Sequence, residues 1–333
     1  MEILQKLCNL PGISGREDAV RDYIITLLPS GCRYKTDNAG NLIVFRQGRS
    51  RTGRTVMLSA HMDEVGLMVT AITKDGRLKF AAVGGIDNRI LPGITLQIGQ
   101  VSGVIGLKAT HMLEQEDKDN PVDIDSMTID IGAKDYDMAS SAVKVGDAVT
   151  FIPNYKEFGD DHILSKALDD RVGCYILLEL LKRDLPCDTY FVFTSSEEIG
   201  TRGAGVAAYN IKPDYAIIVE TTTACDISGI AQAKQVCKLG GGAVLSFMDK
   251  SNLYNRELYS LATKLAVENG IAWQPKSVVA GGNEAGIVSR TGAGCKTIAL
   301  SVPCRYLHTP AGVVKKSDIR DTLELTAAMT MQN

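Results

Sequence analysis

The stretch Thr55-Val56-Met57-Leu58-Ser59-Ala60 runs directly into His61-Met62-Asp63-Glu64. Its first part is short, largely apolar and free of charge, as a buried strand is. In open α/β sheets, functional groups gather beyond the carboxyl ends of the strands. The same order returns further on. Thr189–Thr194 leads to Ser195, Ser196, Glu197 and Glu198, and Tyr215–Val219 leads to Glu220. Thr297–Ser301 leads through Arg305-Tyr306-Leu307 to His308, and Asp169 with Asp170 opens a strongly apolar helix over 170–181. Further helices are predicted over 203–210, 256–269 and 317–331, the last capped by Ser317. This alternation predicts an α/β fold, a mixed sheet flanked by helices.

The first sixty residues alternate too and join the same sheet. Leu4, Leu7 and Cys8 share one helix face, which Pro11 and Gly12 end. Ser14 followed by Glu17 reads as a capping box, opening a helix that carries Ile24, Leu27 and Leu28. A strand follows over 41–45.

Between 66 and 160 the texture changes. Short β-type runs recur over 67–72, 78–83, 95–98, 101–107, 127–131 and 148–152, parted by Gly- and Asp-rich turns and without helical periodicity. The expected organisation is a small all-β domain at 66–160, inserted into a catalytic domain made of 1–65 and 161–333. Inside the insert, Glu114–Asp125 holds six acidic residues and one Lys, Lys118, and reads as a solvated loop.

The 333 residues carry 36 Lys and Arg against 39 Asp and Glu, a net charge of −3. That balance argues against nucleic acid as a partner, because phosphate recognition needs clustered cations. The densest basic run, Arg46–Arg54, is Gly-rich and reads as a turn. No run of 18 apolar residues predicts a membrane span, and the first residues do not read as a signal peptide. Eight scattered cysteines without a C-x-x-C pair suit free thiols in a reducing compartment, so the expected location is cytoplasmic.

Carboxylates and imidazoles delivered to one sheet edge would repel or titrate one another unless cations neutralise them. Such a donor set suits zinc, cobalt or manganese, and two metals can share one carboxylate. His61-x-Asp63 places both side chains on one face of an extended segment, where the carboxylate can hold the second ring nitrogen. Of the adjacent Glu197 and Glu198, one can bind metal while the other takes a proton from an activated water. Other motifs fail. Gly203-Ala204-Gly205 lacks the strand a dinucleotide fingerprint needs directly before it, and Arg54 stands where a phosphate loop requires Lys. Cys304, four residues before His308, reads as an ordinary buried thiol.

Six segments together resemble a known family: Leu7–Gly15, His61–Gly66, Ala167–Arg171, Ser196–Gly200, Val219–Thr222 and Arg305–Pro310. In this order they resemble the tetrahedral, or TET, dinuclear-metal aminopeptidases. That family includes glutamyl and deblocking aminopeptidases, and some members are labelled cellulase or endoglucanase. The resemblance implies a phosphorylase/hydrolase-like metallopeptidase domain, an inserted domain for dimerisation, and a homododecamer built from dimers. It implies two divalent metal ions, zinc first and cobalt or manganese as alternatives. His61 and Glu220 would bind one ion, Glu198 and His308 the other, with Asp169 bridging. Asp63 would orient His61, and Glu197 would be the general base and acid. The substrates would be short peptides cleaved at the N-terminal residue. Two positions depart from the family pattern. Glu220 stands where Asp is common, and Gly281-Gly282-Asn283-Glu284-Ala285 stands where a Gly-Gly-Thr-Asp-Ala pattern is common.

Three other activities use some of the same features. A dinuclear-metal deacylase of N-acyl amino acids could share the centre. An endoglucanase needs paired carboxylates but no histidines, and Trp273 is the only tryptophan. A non-catalytic shell would have no use for the metal set.

Overall fold

Helix α1 (Glu2–Asn9) buries Leu4, Leu7 and Cys8, the face its sequence spacing predicts. Helix α2 (Asp18–Thr26) begins later than the capping-box reading requires. Its N-cap is Glu17, with no side-chain cap bond. Ser14 Oγ donates instead to Asp63 Oδ2 at 2.6 Å, and Glu17 Oε1 accepts from the amides of Gly15 and Ser196 at 2.8 and 3.0 Å. Distant partners took the groups that local capping would have used. The computed structural model describes residues 1–50, 53–112 and 121–331.

Strands β1 (Arg33–Thr36) and β2 (Leu42–Arg46) form a hairpin, and β3 (Thr55–His61) is buried from its second residue onward. Then comes a closed barrel: β4 (Gly66–Ile72), β5 (Leu78–Val83), β6 (Thr95–Ile98), β7 (Val101–Ile105), β8 (Ile129–Asp130) and β9 (Ala148–Phe151), in the order β4-β5-β8-β7-β6-β9. Closure removes free sheet edges. The barrel has its own core, including Leu67, Leu78, Leu96, Ile129 and Val149. It is not wholly β. Helix α3 (Tyr136–Ala142) is capped by Asp135, which accepts from Met138 N at 2.9 Å. Seven residues that bury only Ala139 leave too short an apolar stripe for periodicity to register. The predicted acidic loop falls largely on 113–120, outside the described residues, as does part of the basic run 46–54.

Strands β10 (Lys156–Phe158) and β11 (His162–Ser165) lead to helix α4 (Leu168–Leu181). The chain continues through β12 (Asp188–Thr194), α5 (Arg202–Ile211), β13 (Tyr215–Thr223), β14 (Ala243–Leu245) and α6 (Arg256–Glu268). It ends with β15 (Trp273–Pro275), α7 (Ala285–Val288), β16 (Lys296–Cys304), β17 (Gly312–Lys315) and α8 (Lys316–Thr330). The short β10, β11 and β17 form a separate antiparallel sheet that the sequence pattern did not suggest. Ser317 does not cap α8, whose N-cap is Lys315. Asp318 instead accepts from Gly240 N and Gly242 N.

The main sheet has eight strands in the order β1-β2-β12-β3-β13-β16-β14-β15. Val56, Leu58 and Ala60 pack with α1, α4 and α8, while Met57 faces α5 and α7. That alternation is what a strand covered on both faces requires. The fold is thus the predicted α/β type, a mixed sheet between helices with a small barrel inserted. The register matters more for function. β3 lies parallel between β12 and β13, with His61 opposite Thr194 and Ser59 opposite Ile218. His61, the Ser195–Glu198 turn and Glu220 therefore emerge at one edge. All eight cysteines are unpaired. Among the described residues no helix is long and apolar enough to cross a membrane.

Candidate metal centre

His61 ends β3 and is 1% exposed. Its Nδ1 lies 3.0 Å from the Asp63 carbonyl oxygen and 3.4 Å from Asp63 Oδ1. Both partners only accept, so Nδ1 carries the proton. Nε2 faces Asp169 Oδ1 at 3.3 Å and Glu220 Oε1 at 3.4 Å. His308 repeats the pattern. Its Nδ1 lies 2.8 Å from Gly85 O, and its Nε2 faces Asp169 Oδ2 at 3.2 Å and Glu198 Oε2 at 3.3 Å. The two oxygens of Asp169 are thus divided between the two imidazoles. With both Nδ1 protons committed, each Nε2 meets two carboxylate oxygens, and the gap between them suits a cation: a proton or a metal ion.

The protein charges describe the same competition. Burial lowers the basicity of His61, but Glu220, Asp169 and Asp63 more than offset it and hold the ring above the ordinary histidine value. Burial and the same opposition act on His308, where Asp169 and Glu198 raise it to about 9. Burial pushes Glu197, Glu198 and Glu220 up to about 8, with neighbouring carboxylates adding to the rise and His61 opposing it. Asp169 goes the other way. Both imidazoles override its burial and hold it well below the carboxylate range. Glu198 Oε1 and Asp170 Oδ2 are buried without a hydrogen-bond partner. Crowded, partly unsatisfied carboxylates around two ring nitrogens match the donor preferences of a divalent ion.

Asp170 also belongs to the cluster. One of its oxygens lies within 4.8 Å of ligand atoms of His61 and Glu220. Gly173 makes room for it, because a Cβ there would stand 2.3 Å from Asp170 Oδ2. Asp63 does more than face His61. Its Oδ1 accepts from Glu197 N and its Oδ2 from Glu198 N, both at 3.0 Å, while Ser14 Oγ holds Oδ2 from behind. Glu17 accepts from Ser196 N, in a turn where Ser196 has a left-handed backbone. Residues 14–17 therefore brace the turn that carries Glu197 and Glu198.

A second, fully buried cluster lies behind the site. Lys166 Nζ donates to Glu64 Oε1 and Oε2 at 2.7 and 2.8 Å and to Leu10 O at 3.1 Å. Arg171 donates to Met62 O at 2.7 Å and to Leu7 O. The loop from His61 to Glu64 is thereby bound to the chain on both sides of Asp169. His111 is exposed and His162 starts β11 opposite Lys315, so neither reaches this edge.

The site opens into a cavity of about 300 Å³. Its far wall includes Thr222, Val236, Gly282, Asn283 and Lys276. Lys276 is 7% exposed, and among the described residues it has no ion-pair partner; burial lowers its basicity, and Asp249 and Glu220 oppose this from a distance. Asn283 Oδ1 accepts from Ala285 N at 2.9 Å. Glu284 is buried away from the cavity and accepts from Ser59 Oγ at 2.6 Å.

The sequence pattern of the M42 glutamyl aminopeptidases matches residues 40–325. The chain belongs to this family. It is 35% identical to a putative aminopeptidase of Acetivibrio thermocellus over 327 residues, 97% of this chain and 96% of the relative. Its structure is similar to the aminopeptidase APDkam598 from the archaeon Desulfurococcus kamchatkensis. The TM-score is 0.95 and the identity 30%, covering 100% of this chain and 94% of the other. It is also similar to the Pyrococcus horikoshii TET1 peptidase, described as assembling into a tetrahedron or a large octahedral shell. Here the TM-score is 0.88 and the identity 33%, covering 100% and 99% of the two chains. The activity of this M42 chain is accordingly that of an aminopeptidase, and its acidic and imidazole groups form a candidate metal site.

Proposed function

We propose that this M42 chain removes N-terminal residues from short peptides with two divalent ions, zinc first and cobalt or manganese as alternatives. The observation that carries the reading is the division of Asp169, with Oδ1 toward His61 and Oδ2 toward His308. His61 and Glu220 would hold one ion, Glu198 and His308 the other, and Asp169 would bridge. Bound there, the ions would polarise the scissile carbonyl and acidify the attacking water. Glu197 takes the proton from that water at its carboxylate and delivers it to the leaving amine nitrogen. Asp63 keeps that exchange in place, since it orients the His61 ring and fixes the Glu197 and Glu198 amides. Glu197→Gln should lower kcat by about 10²–10⁴-fold while the metal content stays unchanged. Retained turnover would remove Glu197 from this role.

The cavity supports a preference for an acidic N-terminal residue. A buried ammonium without an ion-pair partner favours a carboxylate that reaches it, and among the described residues Lys276 is such a group beside the proposed centre. A panel of aminoacyl anilides and their N-acylated forms tests both points. Lys276→Met should lower kcat/KM for the glutamyl substrate by roughly 10–100-fold, the weight of one charged hydrogen bond. The leucyl substrate should change little. Preferential cleavage of N-acyl substrates would favour the deacylase reading.

The similarity to the Pyrococcus horikoshii shell-forming peptidase supports a homododecamer built from dimers, with the insert at 66–160 as the dimerisation domain and 1–65 with 161–333 as the catalytic domain. Unpaired cysteines support a reducing, cytoplasmic location.

A further inference from the structure

The inserted barrel reaches the proposed centre through two glycines that directly follow β5. Gly84 has a backbone φ of +86°, and a Cβ there would stand 2.8 Å from Val65 Cγ1 and 3.2 Å from Glu198 Cβ. Gly85 presents its carbonyl oxygen to His308 Nδ1 at 2.8 Å. His308 sits on a loop beyond β16 with a left-handed backbone of its own, φ 58°, and its side chain is 31% exposed. The corresponding partner of His61 Nδ1 is Asp63, which belongs to the main sheet's own loop.

We propose that the Gly84–Gly85 turn of the barrel is a positioning element of the active site. It fixes the tautomer and orientation of His308 and thereby sets the affinity of the ion shared by His308 and Glu198. The His61–Glu220 half is independent of it. The inference rests on the two-metal reading above. Its physical basis is general: the hydrogen bond made by one ring nitrogen directs the other, and loss of such a partner costs about 10–100-fold in metal affinity. Gly84 contributes by fit, because a side chain there must push the turn away from Val65 and Glu198 and carry the Gly85 carbonyl with it.

The test titrates the full-length metal-free protein with zinc against a competing chelator. Gly84→Ala should weaken one of two ions by about 10–100-fold and leave the other at its native affinity. Gly99→Ala is the control. It lies in the same barrel at φ +55° with nothing within 4 Å of the added carbon, and both affinities should stay native. Should Gly84→Ala fail to fold, replacing Ile86 by its α-hydroxy acid decides the matter. The resulting ester weakens the Gly85 carbonyl as an acceptor without touching a side chain. The same weakening is expected, together with a shifted visible spectrum of the cobalt-loaded protein. Native affinities for both ions in the folded variants, or equal weakening of both, would overturn the proposal. His308→Ala separates this from the underlying reading. If it releases no ion, the two-metal assignment fails. If it releases one while the turn variants keep both, only the role of the barrel turn fails.

Discussion

His61 and His308 offer the same atom to the same carboxylate, yet the protein around them differs. His61 ends the central strand of an eight-stranded sheet, sealed between β12 and β13, with its second nitrogen held by a residue two positions away. His308 stands on a partly exposed loop, and its second nitrogen is held from a different core, 223 residues away in sequence. The first half of the site is built by the main sheet and the start of α4. The second is a seam between the sheet and the barrel. The contrast teaches that a symmetrical pair of imidazoles can rest on unequal supports, and unequal supports predict unequal affinities for the two proposed ions.

The largest test of that contrast is to remove each imidazole. His61→Ala should abolish binding at the His61–Glu220 half. His308→Ala should cost one ion and leave the His61 half measurable by zinc titration. Equal and complete loss in both variants would erase the distinction. A smaller effect is expected behind the sheet-built half. Ser14→Ala removes a buried hydrogen bond to the Asp63 carboxylate, worth about 1.5–3 kcal/mol. It should lower kcat about tenfold or more with both ions retained, and Ser14→Thr should recover part of the loss. Unchanged kcat would show that Asp63 holds Glu197 without this brace.

The smallest effect concerns pH. Glu197, Glu198 and Glu220 are held near 8, above the ordinary carboxylate value, and His308 near 9, above the ordinary imidazole value. In each case the protonated form is favoured by folding. The stability this confers on the metal-free protein is full below the ordinary values and is lost as pH rises through about 8 to 9. The urea midpoint of the chelated protein should therefore fall between pH 6 and 9. Zinc affinity should rise over the same range, because protons compete for the same atoms. A midpoint that rises with pH in the chelated protein would contradict the carboxylate assignments.

Much of the sheet could be read from the chain, because buried strands that end in charged residues carry a strong local signal. The run from Thr55 to Glu64 and the pair Glu197-Glu198 are of this kind. What escaped was settled by distance. Ser14 and Glu17 have the spacing of a helix cap, and only the approach of Asp63 and Ser196 gives them other partners. Lys276 carries no pattern at all. It matters because the fold buries it at the rim of a cavity. Gly85 acts through its carbonyl oxygen, which every residue possesses, so no residue type could have pointed to it.

The position of β3 has a consequence for how the molecule is made. Both neighbours of this strand, β12 and β13, lie more than 120 residues further along the chain. At a synthesis rate of about 5–20 residues per second, His61 leaves the ribosome on the order of ten seconds before the strands that will enclose it. The barrel, whose strands lie close together in sequence, is synthesised in that interval. The nascent chain therefore holds every strand of the barrel beside an unfinished sheet. His61, the first of the proposed ligands, cannot be enclosed by its neighbouring strands until the second half of the chain arrives.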